Sequence, residues 1–248
     1  MPVTTRTGFP VPDNRMGQSP CSPVGAVVDA LLDLGRLALV LGGVERTACY
    51  HPDQAARETV TDHTVMLGWT APALAARCYP HLDTGLVAQY ALIHDAVEVY
   101  AGDTQTLLIS PEERQAKADR EARATARIHT EFRDRLPWFP EMISRYERQT
   151  DPEARFVRVL DKVLPKITHL LDELYGLLEF GISRTEFADS MVAQARQLQE
   201  QVGEEFALLL EVHANLVARV LRHPAWGFFP APGTAEPTTR DGGRSGDR

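Results

Sequence analysis

The segment Ala91–Thr104, ALIHDAVEVYAGDT, gathers four groups capable of acid, base or ligand chemistry at the end of an apolar run. His94 and Asp95 are adjacent, Glu98 lies one helical turn after His94, and Asp103 follows Gly102 where the helix should stop. Left unpaired in an apolar interior such groups cost roughly 2–7 kcal/mol each, and a divalent cation would compensate them. Upstream, Glu58–Leu67 (ETVTDHTVML) places His63 on an amphipathic helix. Downstream, Phe156–Lys166 (FVRVLDKVLPK) places Asp161 between Leu160 and Leu164 in an apolar stripe, with its carboxylate pointing inward. His63, His94, Asp95 and Asp161 form a mixed nitrogen and oxygen set from three helices, suited to one borderline or hard divalent ion (Mn, Co, Mg, Zn or Fe) with open coordination positions. An open position holds water, whose pKa such an ion lowers from about 15.7 towards 7 while it also polarises a phosphoryl oxygen. The chemistry expected is hydrolysis of a phosphate ester.

The elements that must position these groups read as helices almost throughout. Val27, Leu31, Leu34, Ala38 and Leu41 recur at spacings of three and four over Pro23–Leu41. Asp83 is the expected N-cap of a helix running through Val87, Tyr90, Ala91 and Val97 to about Gly102. Ser110, Pro111, Glu112 and Glu113 combine a cap, a first-turn proline and two acids at the positive end of a helix dipole. Asp151 and Pro152 repeat the start signal before an apolar stripe that runs from Phe156 to Leu178, with Pro165 a candidate kink. Gly181 closes that helix, and Ser183 with Glu186 forms a capping box opening a last helix to about Leu221. Runs with β alternation are missing, so the expected fold is all-α. The Pro-rich ends, 1–22 and 223–248, read as tails around a single helical domain over 23–222.

Composition excludes several classes of function. With 26 Lys and Arg against 34 Asp and Glu, the formal charge of −8 disfavours binding to nucleic acid, whose affinity rests on basic patches. The 44% of apolar residues include no run near the roughly 20 needed to cross a bilayer, so no membrane partner is expected. Cys21, Cys49 and Cys78 suggest neither a disulfide framework nor a thiolate metal site. These features read as a cytoplasmic protein.

The ordered motifs resemble the HD-domain phosphohydrolases, and within them the bacterial 5′-deoxynucleotidases and the similar eukaryotic HD-domain nucleotidases. The resemblance covers about Leu34–Leu178 and rests on His63, then His94-Asp95, Glu98, Gly102-Asp103 and Asp161, with PEERQAKADREA and YERQTDPEARFVRVLDKV as supporting stretches. It implies an HD-type helical bundle with an extra long C-terminal helix and one divalent metal on His63, His94, Asp95 and Asp161. It further implies Glu98 and Asp103 as catalytic acids or bases and Arg46 in LGGVERTACY as the ligand of the substrate phosphate. Several family members follow that Arg with Trp, where this chain has Thr47.

The substrate it implies is a (deoxy)nucleoside 5′-monophosphate, with triphosphate cleavage, hydrolysis of another phosphorylated metabolite, or a non-catalytic nucleotide sensor as alternatives. Individual residues also have plainer readings. Asp161 could pair with Lys162 or Arg158, Glu98 with Arg46, and Asp103 could terminate a helix. Lys117 and Glu121 read as an exposed i,i+4 pair, and His129, His169 and His213 as ordinary. The apolar side of the last helix, Phe187, Met191, Ala195, Leu198, Val202, Phe206, Leu209 and Leu210, packs in the core or meets a second copy in a homodimer.

Overall fold

A computed structural model describes residues 24–104 and 106–228. The expected N-terminal tail and all but the start of the C-terminal one lie outside the described residues. The fold is all-α, with one small hairpin. In order, the elements are α1 (Val24–Leu41), β1 (Glu45–Tyr50), β2 (Arg57–Thr59), α2 (Val60–Cys78), α3 (Thr84–Ile93), α4 (Glu98–Ala101), α5 (Pro111–Phe132), α6 (Trp138–Arg148), α7 (Pro152–Leu171), α8 (Tyr175–Glu179), α9 (Arg184–Val202) and α10 (Ala207–Leu221). A 3₁₀ turn, Pro224–Phe228, follows, and its Trp226 Nε1 donates to Val220 O at 2.8 Å, so the packed chain extends past the boundary expected at 222.

The start signals hold, with one change of mechanism. Ser110 with Glu113 and Ser183 with Glu186 make full capping boxes at α5 and α9, and the Asp83 carboxylate accepts from Gly85 N and Leu86 N at the start of α3. Asp151 precedes α7 without capping it. Its Oδ2 instead accepts from Arg145 Nε at 2.7 Å and from the Tyr90 hydroxyl. Glu153, in the first turn of α7, accepts from Asp83 N at 2.9 Å. These bonds tie the beginning of α3 to the beginning of α7, so the two helices that carry His94 and Asp161 share one frame.

Three expected helices break. The segment from Asp83 splits after Ile93, where Ala96 N donates to Ile93 O (3.0 Å) and Glu98 N to Asp95 O (2.9 Å), a tighter i→i−3 pattern that gives way to the short α4, closed at Gly102 (φ +70°). The long stripe runs unbroken through Pro165 to Leu171 and then turns at Glu173 and Leu174, both in the left-handed region, before α8. The last helix divides at Gly203 (φ +52°) into α9 and α10. Apolar spacing resumes on the same side after each turn, so periodicity alone carries across it.

The main core packs α2, α3, α6, α7 and α10 together, with Tyr79, Phe156 and Phe206 in mutual edge-to-face contact at centroid separations of 5.3–5.5 Å. Phe187, Met191, Leu198, Val202, Phe206 and Leu209 are all buried within the chain. In α1 the buried line is Ala30, Leu37 and Leu41, whereas Leu31, expected on that line, is exposed.

The hairpin is the element that periodicity did not announce. β1 and β2 pair antiparallel with Glu45 opposite Thr59 and Tyr50 opposite Arg57, and a second, smaller core joins Ala48 to Leu174 and Leu177 beneath α8 and α9. α8 approaches β1 so closely that a Cβ on Gly176 would stand 2.2 Å from Ala48 O, which makes the glycine a requirement of that contact.

Candidate metal centre

The site forms where α2, the end of α3 and α7 converge beside the hairpin. A capping box sets the phase of α2: Thr59 Oγ1 accepts from Asp62 N at 3.1 Å and Asp62 Oδ2 accepts from Thr59 N at 2.9 Å. That phase turns His63, in the first turn, wholly inward. At the end of α3, His94 Nδ1 donates to Ala91 O at 2.9 Å, which turns Nε2 towards the other candidates. This Nε2 is buried and lacks a hydrogen-bond partner, yet it stands 3.0 Å from Asp95 Oδ2 and 3.8 Å from Asp161 Oδ1. Lone-pair atoms that close repel unless a cation or a proton lies between them.

A cation fits. His63 Nε2 lies 3.0 Å from Asp161 Oδ1, the two imidazole centroids are 5.3 Å apart, and one ligand atom from each of His63, His94, Asp95 and Asp161 lies within 4.8 Å of the others. At bond lengths of about 2.0–2.2 Å, neighbouring ligands of one ion stand about 3–3.6 Å apart and opposed ones just over 4 Å. Burial alone would push the two carboxyls up. Lys162 and His63 hold Asp161, and His94 holds Asp95, well below the usual carboxylate range, so both are ionised as ligands must be.

A second set of charges surrounds the first. Glu58 of β2 is 4% exposed; its Oε1 lies 3.3 Å from His63 Nδ1 and 3.7 Å from Arg46 Nε. Arg46 of β1 reaches Asp95 Oδ2 with Nη1 at 3.4 Å, and Lys162 Nζ donates to Asp161 Oδ2 at 2.9 Å. Each ligand except His94 thus has a charged neighbour behind it, and His94 has a backbone carbonyl, the usual means of orienting metal ligands. The hairpin's contribution is one guanidinium and one carboxylate, delivered from paired strands.

Glu98 behaves differently from its neighbours. It is 5% exposed, with Oε2 unpartnered, and burial followed by the charges of Asp95 and Asp103 pushes its pKa up to about 10, so it carries a proton at neutral pH. Asp103 Oδ2 accepts from Thr47 N at 2.6 Å, pinning the turn after α4 to β1. Lys117, expected on the surface with Glu121, makes that pair but is largely buried and lies 4.0 Å from Glu98 Oε1. The expected alternative of a Glu98–Arg46 pair is not made; Arg46 turns to Glu58 and Asp95.

His94, Asp95, Asp161, Glu98, Asp103 and Arg46 line one cavity of about 680 Å³, with Lys117 and Lys162 on its wall, and His63 stands behind them. The six residues singled out by type and spacing therefore meet at one place with Arg46, which the resemblance implied. Glu58 escaped notice because it lies five residues before His63 in a stretch without strand alternation, and only the hairpin brings it back beside the histidine.

The profile of the HD domain family matches residues 41–203, about two thirds of the chain. The chain belongs to the HD domain family. The HD domain so matched contains all four ligand candidates, both acids and Arg46. Two solved structures resemble this HD domain protein. One is a "predicted metal-dependent phosphohydrolase" from Magnetospirillum magnetotacticum, 23% identical, with a TM-score of 0.63, matched over 83% of this chain and 100% of its own. The other is a conserved hypothetical protein from Pyrococcus furiosus, 20% identical, with a TM-score of 0.51 over 76% of this chain and 99% of its own. At these identities the likeness is one of fold. No curated protein matches the sequence. Among the described residues no helix is long and apolar enough to cross a membrane.

Proposed function

We propose that this HD domain protein is a metal-dependent phosphohydrolase that releases inorganic phosphate from (deoxy)nucleoside 5′-monophosphates. The observation that carries the reading is the cluster of two imidazoles and two carboxylates opening onto a cavity that also presents the buried, unpartnered Glu98 carboxyl and the cations Arg46 and Lys117. Its resemblance in fold to a protein described as a metal-dependent phosphohydrolase agrees with it.

A divalent ion on His63, His94, Asp95 and Asp161 would supply Lewis acidity and a nucleophile at neutral pH. The chain does the rest. Arg46 and Lys117 offset charge on the phosphoryl oxygens as it builds up. Glu98, a neutral acid held beside Asp95, gives its proton to the departing sugar oxygen, so that the alcohol leaves uncharged. Asp103, anchored through Oδ2 to Thr47, takes the proton of the attacking water. Water and phosphate monoester become alcohol and inorganic phosphate, with one proton in and one out.

The test is phosphate release from ribo- and deoxyribonucleoside mono-, di- and triphosphates with manganese, cobalt, magnesium or zinc supplied. Metal-dependent release from 5′-monophosphates, abolished together with bound metal in Asp95→Ala, is the expected result. Full turnover by metal-free Asp95→Ala protein refutes the reading, and tripolyphosphate as product moves the substrate to the triphosphates.

A further inference from the structure

The cavity continues beyond the ligand cluster along α7, which presents Arg158, Asp161, Lys162, Lys166 and His169 to it. His169 is eight residues past Asp161, about 12 Å along the axis at 1.5 Å per residue. Phe187, Met191 and Gln194 of α9 close this far end.

Here a side-chain amide is held in one orientation. Lys166, 3% exposed, donates through Nζ to Lys162 O at 2.8 Å and to Gln194 Oε1. His213 of α10, 2% exposed, has Nε2 at 2.9 Å from the same Oε1. In this orientation the amide oxygen accepts from Lys166 Nζ and, with His213 in the Nε2–H tautomer, from His213 as well. Gln194 Nε2, with two N–H bonds and no partner among the described residues, is left to the cavity. Beside it His169 is 3% exposed, with Nδ1 buried and unpartnered. Burial pushes its pKa down to about 3, so it stays a neutral imidazole with one donor and one acceptor. Phe187 meets His169 edge-on at 6.2 Å, and with Met191 makes the apolar surround.

We propose that Gln194, clamped by Lys166 and His213, forms with His169 a subsite for an uncharged planar heterocycle bearing a hydrogen-bond acceptor, attached to the phosphate held at the metal centre. The half-buried Gln194 amide is open to a ligand in the cavity, and the buried, unpartnered His169 Nδ1 is a costly orphan beside the same space. An acceptor such as a ring carbonyl or ring nitrogen suits the amide N–H pair, and flat apolar faces suit Phe187 and Met191. An anionic group suits the apolar surround of Phe187 and Met191 less well, because it would lose hydration there. The inference rests on the nucleotide reading above and specifies which part of the substrate is recognised here.

Gln194→Glu tests it, since the variant keeps the volume and an oxygen for Lys166 and His213 but replaces both donors. Gln194→Met, which has no polar group, serves if the first fails to fold. The preference for nucleoside 5′-monophosphates over ribose 5-phosphate, taken as a ratio of kcat/KM, should fall about tenfold to a hundredfold through KM, with bound metal unchanged. An equal loss on both substrates, or an unchanged ratio, overturns the subsite. Calorimetric binding of phosphate-free nucleosides separates the two proposals. If the enzyme releases no phosphate from any nucleotide, nucleoside binding that Gln194→Glu abolishes still supports the subsite, and absence of nucleoside binding to the wild-type protein overturns it.

Discussion

Glu58→Gln isolates the charge behind His63 while leaving volume and all four ligands in place. The carboxylate lies 3.3 Å from His63 Nδ1, on the far side of the ring from Asp161. An ion bonded to Nε2 at about 2 Å would therefore be roughly 7 Å from Glu58. At an effective dielectric near 20, a unit negative charge at that distance attracts a divalent ion by about 5 kcal/mol. That is an upper bound, because Arg46 at 3.7 Å shares the carboxylate and partly neutralises it. Losses of tenfold to a hundredfold are typical when such outer partners of ligating histidines are removed, about 1.4–2.7 kcal/mol. The variant should bind manganese or zinc that much more weakly by calorimetric titration, with one metal per chain retained, and kcat at saturating metal should change far less than metal affinity. Metal affinity within twofold of the wild type would refute the role given to Glu58. A stoichiometry reduced to zero in a folded protein would instead make it an indispensable ligand.

Two further outcomes follow from features outside the ligand cluster. Gly176→Ala places a methyl group against Ala48 O, a backbone atom that cannot rotate away, so α8 must lift off β1. Destabilisation of about 2–3 kcal/mol is expected in urea unfolding, and a loss below 0.5 kcal/mol would show that the two elements separate freely. His169 and His213 are buried, which depresses their pKa values to about 3 and about 4. Below the ordinary value of 6.5 the unfolded chain binds more protons than the folded one, so stability present above pH 6.5 is lost as pH falls towards 4, by up to about 1.4 kcal/mol per pH unit for each histidine. In chelator, His169→Phe should remove about half of this slope between pH 6.5 and 4.5, and an unaltered slope would sink the assignment.

Much of the site was legible because helices hold near neighbours together. His94, Asp95 and Glu98 share one short segment, and Asp161 betrays itself as a carboxylate inside an apolar stripe. The convergence of His63 with them came from the resemblance and from amphipathic spacing rather than from any local rule. What escaped, Glu58 and its meeting with Arg46, depends on chain reversal. Arg46 and Glu58 are twelve residues apart and meet only because a short hairpin, with no clean alternation and one glutamine in the left-handed region (Gln54, φ +59°), folds them together. Helix breaks at Glu173, Leu174 and Gly203 were hidden because the apolar stripe resumes in phase beyond each turn. His169 and His213 read as ordinary because their significance lies in Gln194, which sits on a third helix.

The hairpin's register has a practical corollary. Arg46 and Glu58 face the ligand cluster beside the Glu45–Thr59 pair, beyond which β1 bulges, with Ala48 left-handed (φ +59°), before Tyr50 meets Arg57. An insertion between Glu45 and Arg46 would displace the guanidinium from Asp95 and alter the net charge felt by the ion. Residues added between His51 and Ala56 would enlarge the bend and cost at most the Gln54 bond to Asp172 O (3.1 Å) and the exposed His51–Asp62 pair. Natural length variation, or a reporter peptide grafted by design, is therefore tolerable at the tip and ruinous a few residues away.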